Sequence, residues 1–264
     1  MISRSYCRGF PCVAIDLNTQ RDFCEPGRAF PVANLDHLIP ALRRVIAWVK
    51  RNQTPIVSSI EAHRECELSD SGNPIHCVDG SDGQEKIDFT ILANRKYIPS
   101  DNTLAVPVDL FASYQQVIFW KRTDDLLTNP KADRLMSHAP VGEFLLFGVG
   151  LETSVKVLAL ALLARNKNVT IVVDACGFWS EGTADQAIRQ VVAKGANVVR
   201  VDDLLARKLD RKVRYESTPG HVRLRGFYQE LRQVNVSVDH AQSTLPLPLS
   251  AANAKISKRN GHQS

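Results

Sequence analysis

Four short stretches of this 264-residue chain end in groups able to do chemistry. Asp16 and Asn18 close one apolar run, Glu61 and His63 a second, and Lys121 and Arg122 a third. A fourth run ends in Gly148-Val149-Gly150 and is followed by Glu152, Thr153 and Ser154 at the start of a helical pattern. Glu61 and His63 are two residues apart, so an extended strand puts both on one face. A carboxylate and an imidazole placed in that way suit a divalent cation. A serine hydroxyl near a lysine suits nucleophilic catalysis only where some base takes its proton. Each piece also has a plainer reading. Asp16 and Asn18 can make an Asx turn, Lys121 can be a solvated strand end, and Ser154 can be an ordinary first-turn residue. Function is argued by joint placement, which depends on the elements that carry these residues.

Those elements read as alternating strands and helices. Apolar, β-rich runs cover 11–17 (PCVAIDL), 54–60 (TPIVSSI), 115–120 (QQVIFW), 143–150 (EFLLFGVG), 168–175 (NVTIVVDA) and 196–201 (ANVVRV). Residues 35–52 carry Leu38, Leu42, Val45, Ile46 and Val49 at helical spacing, with Asn34 as the expected cap. Further helices are expected around 130–137, over 153–166 and over 183–194. Residues 61–96 show no sustained period and contain Gly72, Pro74, Gly80 and Gly83, so the reading there is a long loop. Six strands joined by crossover helices predict an α/β fold with an open, doubly wound parallel sheet. Ligands of such sheets bind beyond the carboxyl ends of the strands, where all four polar stretches lie.

Composition bounds the rest. Hydrophobic residues make up 44% and charged residues 23%, ordinary for a globular chain. No run approaches 18 apolar residues, and the first ten residues lack an apolar core, so neither a membrane helix nor a secretory signal is expected. Six cysteines without a CxxC pair fit a reduced, cytoplasmic protein. The net charge of +5 is uneven: residues 206–264 hold 11 Lys and Arg against 4 Asp and Glu, while the body before them is slightly acidic. The expected organisation is therefore a domain over 1–207 and a basic extension over 208–264, largely disordered after about 239. A whole-protein nucleic-acid function is not expected, beyond weak attraction of the tail to polyanions.

The stretches AIDLNTQRDFC, HCVDGSDGQEKI, KRTDDLLTNP after the third run, and GVGLETSVK resemble the isochorismatase-like cysteine hydrolases, which include nicotinamidase-type amidohydrolases. The resemblance runs in order from about residue 11 to 205. It implies a three-layer α/β/α sandwich around a six-stranded parallel sheet. It also implies hydrolysis of amide-like bonds by a Cys, an Asp and a Lys, with a non-proline cis peptide that here falls at Val149–Gly150. The matching lysine is Lys121. The nucleophile's position is held by Ser154 instead of Cys, and the aspartate's position by Asn18. A second register would give that role to Asp16. In nicotinamidase-type relatives an Asp-x-His pair and a later His hold a divalent metal, and the matching residues are Glu61, His63 and His76. Two imidazoles and one carboxylate suit Zn, Fe or Mn, and no organic cofactor is expected.

Two of the three catalytic positions are thus changed. A hydroxyl is far harder to ionise than a thiol, and an amide takes no proton. The expectation is a catalytically degenerate member that still binds a small amide or acid, and that forms homo-oligomers as its relatives do. Two alternatives stand beside it. One is an active amidohydrolase using Ser154 with a neutral Lys121, and the other a scaffold acting through an oligomer surface and the basic tail. Cys24 and Cys77 are weaker candidates for a displaced thiol, and Cys176 reads as a packed core residue.

Overall fold

The computed structural model describes residues 10–68, 72–101 and 110–207; the basic extension from 208 lies outside them. Seven strands form one parallel sheet: β1 (Val13–Leu17), β2 (Ile56–Glu61), β3 (Arg95–Ile98), β4 (Gln116–Lys121), β5 (Phe144–Val149), β6 (Val169–Gly177) and β7 (Asn197–Val199). Helices are α1 (Arg21–Cys24), α2 (Leu35–Asn52), α3 (Glu65–Leu68), α4 (Leu110–Ser113), α5 (Pro130–His138), α6 (Lys156–Ala164), α7 (Glu181–Ala193) and α8 (Val201–Ala206). The strand order is β3-β4-β2-β1-β5-β6-β7.

The central strands are buried along their whole length because helices cover both faces. Every residue of β1, β2 and β5 is buried, the pattern of parallel strands inside an α/β/α sandwich. α2 turns Leu38, Ala41, Leu42, Val45, Ile46 and Val49 inward, three and four residues apart, and packs against β6 together with α8. α6 and α7 pack against each other. The chain winds from β1 through β2 to one edge, then returns to β5 and winds to the other. With right-handed crossovers the helices of the two halves fall on opposite faces.

Three local expectations are corrected. The sheet has seven strands, not six, because β3 forms across the end of the stretch read as loop, over 95–98. Its exposed Arg95, Lys96 and Tyr97 mask the apolar alternation, and only Ile98 is buried. Such a short, charged strand suits a sheet edge. The helix expected from 153 begins earlier, as a π-helical turn over Leu151–Val155 that runs into α6. Asn34 does not cap α2 with its side chain. It stitches the helix to the end of β6 instead, donating to the Cys176 carbonyl at 3.0 Å and accepting from the Phe178 amide at 3.1 Å.

The winding reverses between β1 and β5, so the crevice at the carboxyl end of this pair is the switch point of the sheet. Gly148 makes the close approach there possible. Its φ is 115°, and a Cβ on it would overlap the Leu17 carbonyl oxygen. Gly148→Ala adds left-handed strain to a backbone clash, and we expect it to cost about 2–3 kcal/mol, read from a urea melt. An unchanged midpoint would mean that β1 and β5 part without penalty.

Candidate active site

β1 ends at Leu17, and Asn18 turns into the left-handed region with a φ of 48°, a conformation Asn tolerates better than most residues. Its backbone amide donates to the Ser59 carbonyl at 3.2 Å. The Ser59 hydroxyl donates to Asn18 Oδ1 at 2.6 Å. This bond fixes which way the amide faces. Asn18 Nδ2 then donates to Glu61 Oε1 at 2.7 Å and to Ser154 Oγ at 3.0 Å.

The structure brings Lys121 to the same point from β4. Its Nζ donates to Glu61 Oε1 at 2.8 Å, to the Thr123 carbonyl at 2.8 Å and to Ser154 Oγ at 3.3 Å. An ammonium has three protons and no acceptor, so all of its capacity is used here as a donor. Asn18, Lys121 and Ser154 are each essentially inaccessible. Burying a lysine requires a nearby anion, and Glu61 is that anion.

Glu61 carries two duties. Oε1 serves Lys121 and Asn18, while Oε2 lies 3.0 Å from His63 Nε2 and 3.5 Å from His76 Nε2. Burial alone would raise its pKa. The charge of Lys121, with hydrogen bonds from His63, His76 and Lys121, outweighs burial and holds the carboxyl well below the ordinary range. Its backbone is clamped by Gln20, whose side chain accepts from the Glu61 amide at 2.8 Å and donates to its carbonyl at 2.9 Å. The same Gln20 amide reaches the Gln84 carbonyl at 2.9 Å. The HCVDG stretch is held beside the end of β2 by His63, whose amide donates to the Cys77 carbonyl at 3.0 Å and whose carbonyl accepts from the Asp79 amide at 2.9 Å, and His76 is delivered with it.

The three residues fit a divalent cation. Their ligating atoms lie within 4.8 Å of one another, and separations of 3.0 and 3.5 Å match atoms that share one ion at about 2.0–2.1 Å. His76 Nδ1 sits 2.6 Å from the Pro74 carbonyl. As a donor there, it leaves a lone pair on Nε2 facing the Glu61 carboxylate, which requires a proton or a cation between them. Burial would lower the pKa of His76; hydrogen bonds to Glu61 and the Pro74 carbonyl raise it overall.

Asp16 goes elsewhere. Its carboxylate pairs with Lys86 Nζ at 2.8 Å and accepts from Thr19 and Ser58 at 2.8 and 3.0 Å, all buried. The second register, with Asp16 beside the hydroxyl, is therefore not what the structure builds. Arg122 pairs with Glu67 at the surface. Glu152 accepts from the Trp179 and Ser180 amides at 2.8 and 3.1 Å, holding the segment after β6. Burial pushes the Cys24 thiol up to about 12 and raises Cys77 and Cys176 as well, so none of these three is a displaced thiolate. The Val149–Gly150 peptide is cis.

Two features escaped sequence reasoning. One is an aromatic wall. Trp179 stacks on Phe30 with centroids 4.6 Å apart and meets Phe23 edge-on at 5.5 Å. Its ring lies over Gly150, where a Cβ would strike it. His76 joins the wall 5.2 Å from both phenylalanines. Such a surface suits a flat ring. The other is Asp124, in the loop that Lys121 anchors at Thr123. Desolvation holds its carboxyl above the ordinary range, with Lys121 opposing. The TDD run beside Lys121 was the available signal.

Comparison with known proteins agrees with this architecture. The family model described as the isochorismatase domain matches residues 12–203. The pyrazinamidase of Pyrococcus horikoshii, solved in complex with zinc, is 23% identical with a TM-score of 0.58, covering 72% of this chain and 99% of its own. An isochorismatase-like hydrolase from Alkaliphilus metalliredigens is 18% identical with a TM-score of 0.56, covering 74% and 95%. The N-carbamoylsarcosine amidase of Thermoplasma acidophilum is 19% identical with a TM-score of 0.55, covering 73% and 98%. At these identities the solved structures establish a shared fold. No curated protein matches the chain.

Proposed function

The chain belongs to the isochorismatase family, and on that premise we propose that it binds a small planar amide or acid at the β1/β5 crevice while the family's thiol-based hydrolysis is lost. One observation carries this reading: Ser154 Oγ receives hydrogen bonds from both Asn18 Nδ2 and Lys121 Nζ. The group at the aspartate's position donates a proton where the reaction needs an acceptor. Lys121 is committed as a donor too, which argues against a neutral lysine as base. Loss of a nucleophile or its base costs several powers of ten in rate.

Binding machinery remains. The aromatic wall stacks a ring. Glu61, His63 and His76 would hold a divalent cation, which supplies Lewis-acid attraction for a ligand's donor atom. Nicotinamide, nicotinic acid and pyrazinamide are suitable probes, and each should raise the melting temperature of the protein. Turnover of the amides should stay near background. Robust hydrolysis that disappears in Ser154→Ala would overturn the reading.

The cation has its own test. Purified protein should carry zinc, iron or manganese, and His63→Ala and His76→Ala should each lower the content severalfold. Equal metal in all three proteins would dismiss the site.

A further inference from the structure

We infer that Glu152 and Gly150 are positioning residues that set where the Trp179 indole stands, and so fix the ring-binding slot at the turn that carries Ser154. The inference deepens the binding reading above and rests on it for the ligand alone. Trp179 stands in the loop after β6, and Glu152 lies 27 residues before it. Two hydrogen bonds join these segments. Glu152 Oε1 accepts from the Trp179 amide at 2.8 Å and from the Ser180 amide at 3.1 Å. Ser180 precedes α7 and its side chain makes no cap, so the open amides at this helix entrance need an acceptor. The carboxylate supplies one from another element, at the end where the helix dipole favours an anion. Glu152 belongs to the π-helical turn Leu151–Val155, which also holds Ser154. The backbone that carries the indole is therefore tied to the turn that carries the hydroxyl.

The ring itself is pinned at two edges. Its Nε1 donates to the Phe30 carbonyl at 3.2 Å, and its face stacks on the Phe30 ring with the planes 15° from parallel. Its outer carbons rest on Gly150. A Cβ built there would lie 2.3 Å from Cζ3 and 3.0 Å from Cη2 of the indole, well inside the separation at which carbon atoms attract. The φ of Gly150 is −105°, open to any residue. Glycine is needed here for the room beside it and not for its backbone.

The two residues act on different parts of Trp179. A side chain at 150 pushes the ring off its seat, whereas loss of the carboxylate at 152 frees the backbone beneath it. Phe23 and Phe30 join the indole to His76, so one aromatic surface runs from Gly150 to the candidate cation site. Stacking depends on the offset and tilt of the rings. A displaced indole therefore holds a single flat ring less tightly, with the rest of the crevice unchanged.

The test uses the full chain labelled with 15N and reads the indole N–H peaks by NMR. Trp48, Trp120 and Trp179 give one peak each, and Trp179→Phe identifies that of Trp179. Glu152→Ala and Gly150→Ala should each shift it, while the peaks of Trp48 and Trp120 stay in place and report an intact fold. Glu152→Gln should match wild type. It keeps an oxygen for the two amides, and the Oε2 that it replaces has no hydrogen-bond partner among the described residues. A Trp179 peak unmoved in both alanine variants overturns the inference, as does a Glu152→Gln peak displaced as far as that of Glu152→Ala. Nicotinamide titrated into the same proteins gives a second readout. Both alanine variants should bind it about tenfold more weakly than wild type. In a Trp179→Ala background Gly150→Ala should add little, since the two act through one contact. A shifted peak with unchanged affinity overturns the link between the indole and the slot. No binding by wild type defeats the binding reading alone, because the peaks test Glu152 and Gly150 without a ligand.

Discussion

Asn18→Asp combined with Ser154→Cys is expected to raise hydrolysis of nicotinamide by about three powers of ten over wild type. A thiol at Ser154 would sit beside Lys121, 3.3 Å from the present hydroxyl, where a cation favours the thiolate. An Asp at 18 would supply the missing base. Neither change suffices alone, because groups that act as one unit are strongly non-additive. Asn18 Nδ2 is 2.7 Å from Glu61 Oε1, so a carboxylate at 18 meets a second carboxylate and the two must share a proton. Adding Glu61→Asp withdraws that oxygen by one methylene, and the triple variant should exceed the double by a further tenfold or so. Ammonia release is the measurement. A triple variant no faster than wild type would mean that the crevice, and not merely its two changed residues, has lost catalytic geometry.

Glu61→Gln is expected to destabilise the fold by about 3–5 kcal/mol, since it leaves a buried ammonium without its anion. Lys121 Nζ is fully buried, and its ion-pair partner is Glu61. The substitution keeps shape and changes charge, so cavity formation is not the cause. The pH dependence follows from the depressed pKa of Glu61. An unfolded glutamate titrates near 4.3. The stabilisation is complete above that value and is lost as pH falls through the lower folded pKa. Wild type without metal should therefore lose stability on the acid side, and Glu61→Gln should lack that component. Urea melts at neutral and acidic pH measure both. A cost below about 1 kcal/mol at neutral pH would show that Lys121 finds another counter-charge.

These two results bear on one substitution pattern. The Glu61 carboxylate reaches both the histidines and Lys121, and an amide at 18 avoids a second negative charge beside it. The residues at 18 and 61 are physically linked, since Asn18 Nδ2 donates to Glu61 Oε1 at 2.7 Å.

Much of the fold was legible in residue order. Parallel strands buried on both faces read as largely apolar runs, as the inner strands β1, β2, β4, β5 and β6 do, and the edge strand β7 keeps enough of that pattern in ANVVRV. The missing one, β3, is stabilised by a single neighbour at an edge, so its charged residues carried no such mark. The positions of Asn18, Glu61, Lys121 and Ser154 followed from the rule that ligands meet the carboxyl ends of a doubly wound sheet. Side-chain direction did not follow. Asp16 and Asn18 share a face in an ideal strand, but the chain leaves β1 at Asn18 through a left-handed turn, and Asp16 stays behind with Lys86.

By itself the chain determined which groups stand at the crevice, because apolar periodicity fixes the strands and strand ends fix the edge. Only the tertiary structure decided how those groups bond. Glu61 as the shared anion and the direction of the Asn18 amide each depend on atoms about 40 to 140 residues apart. Hydrogen bonds are directional over a few tenths of an ångström, and no local pattern encodes a geometry that arises when separate loops are packed together.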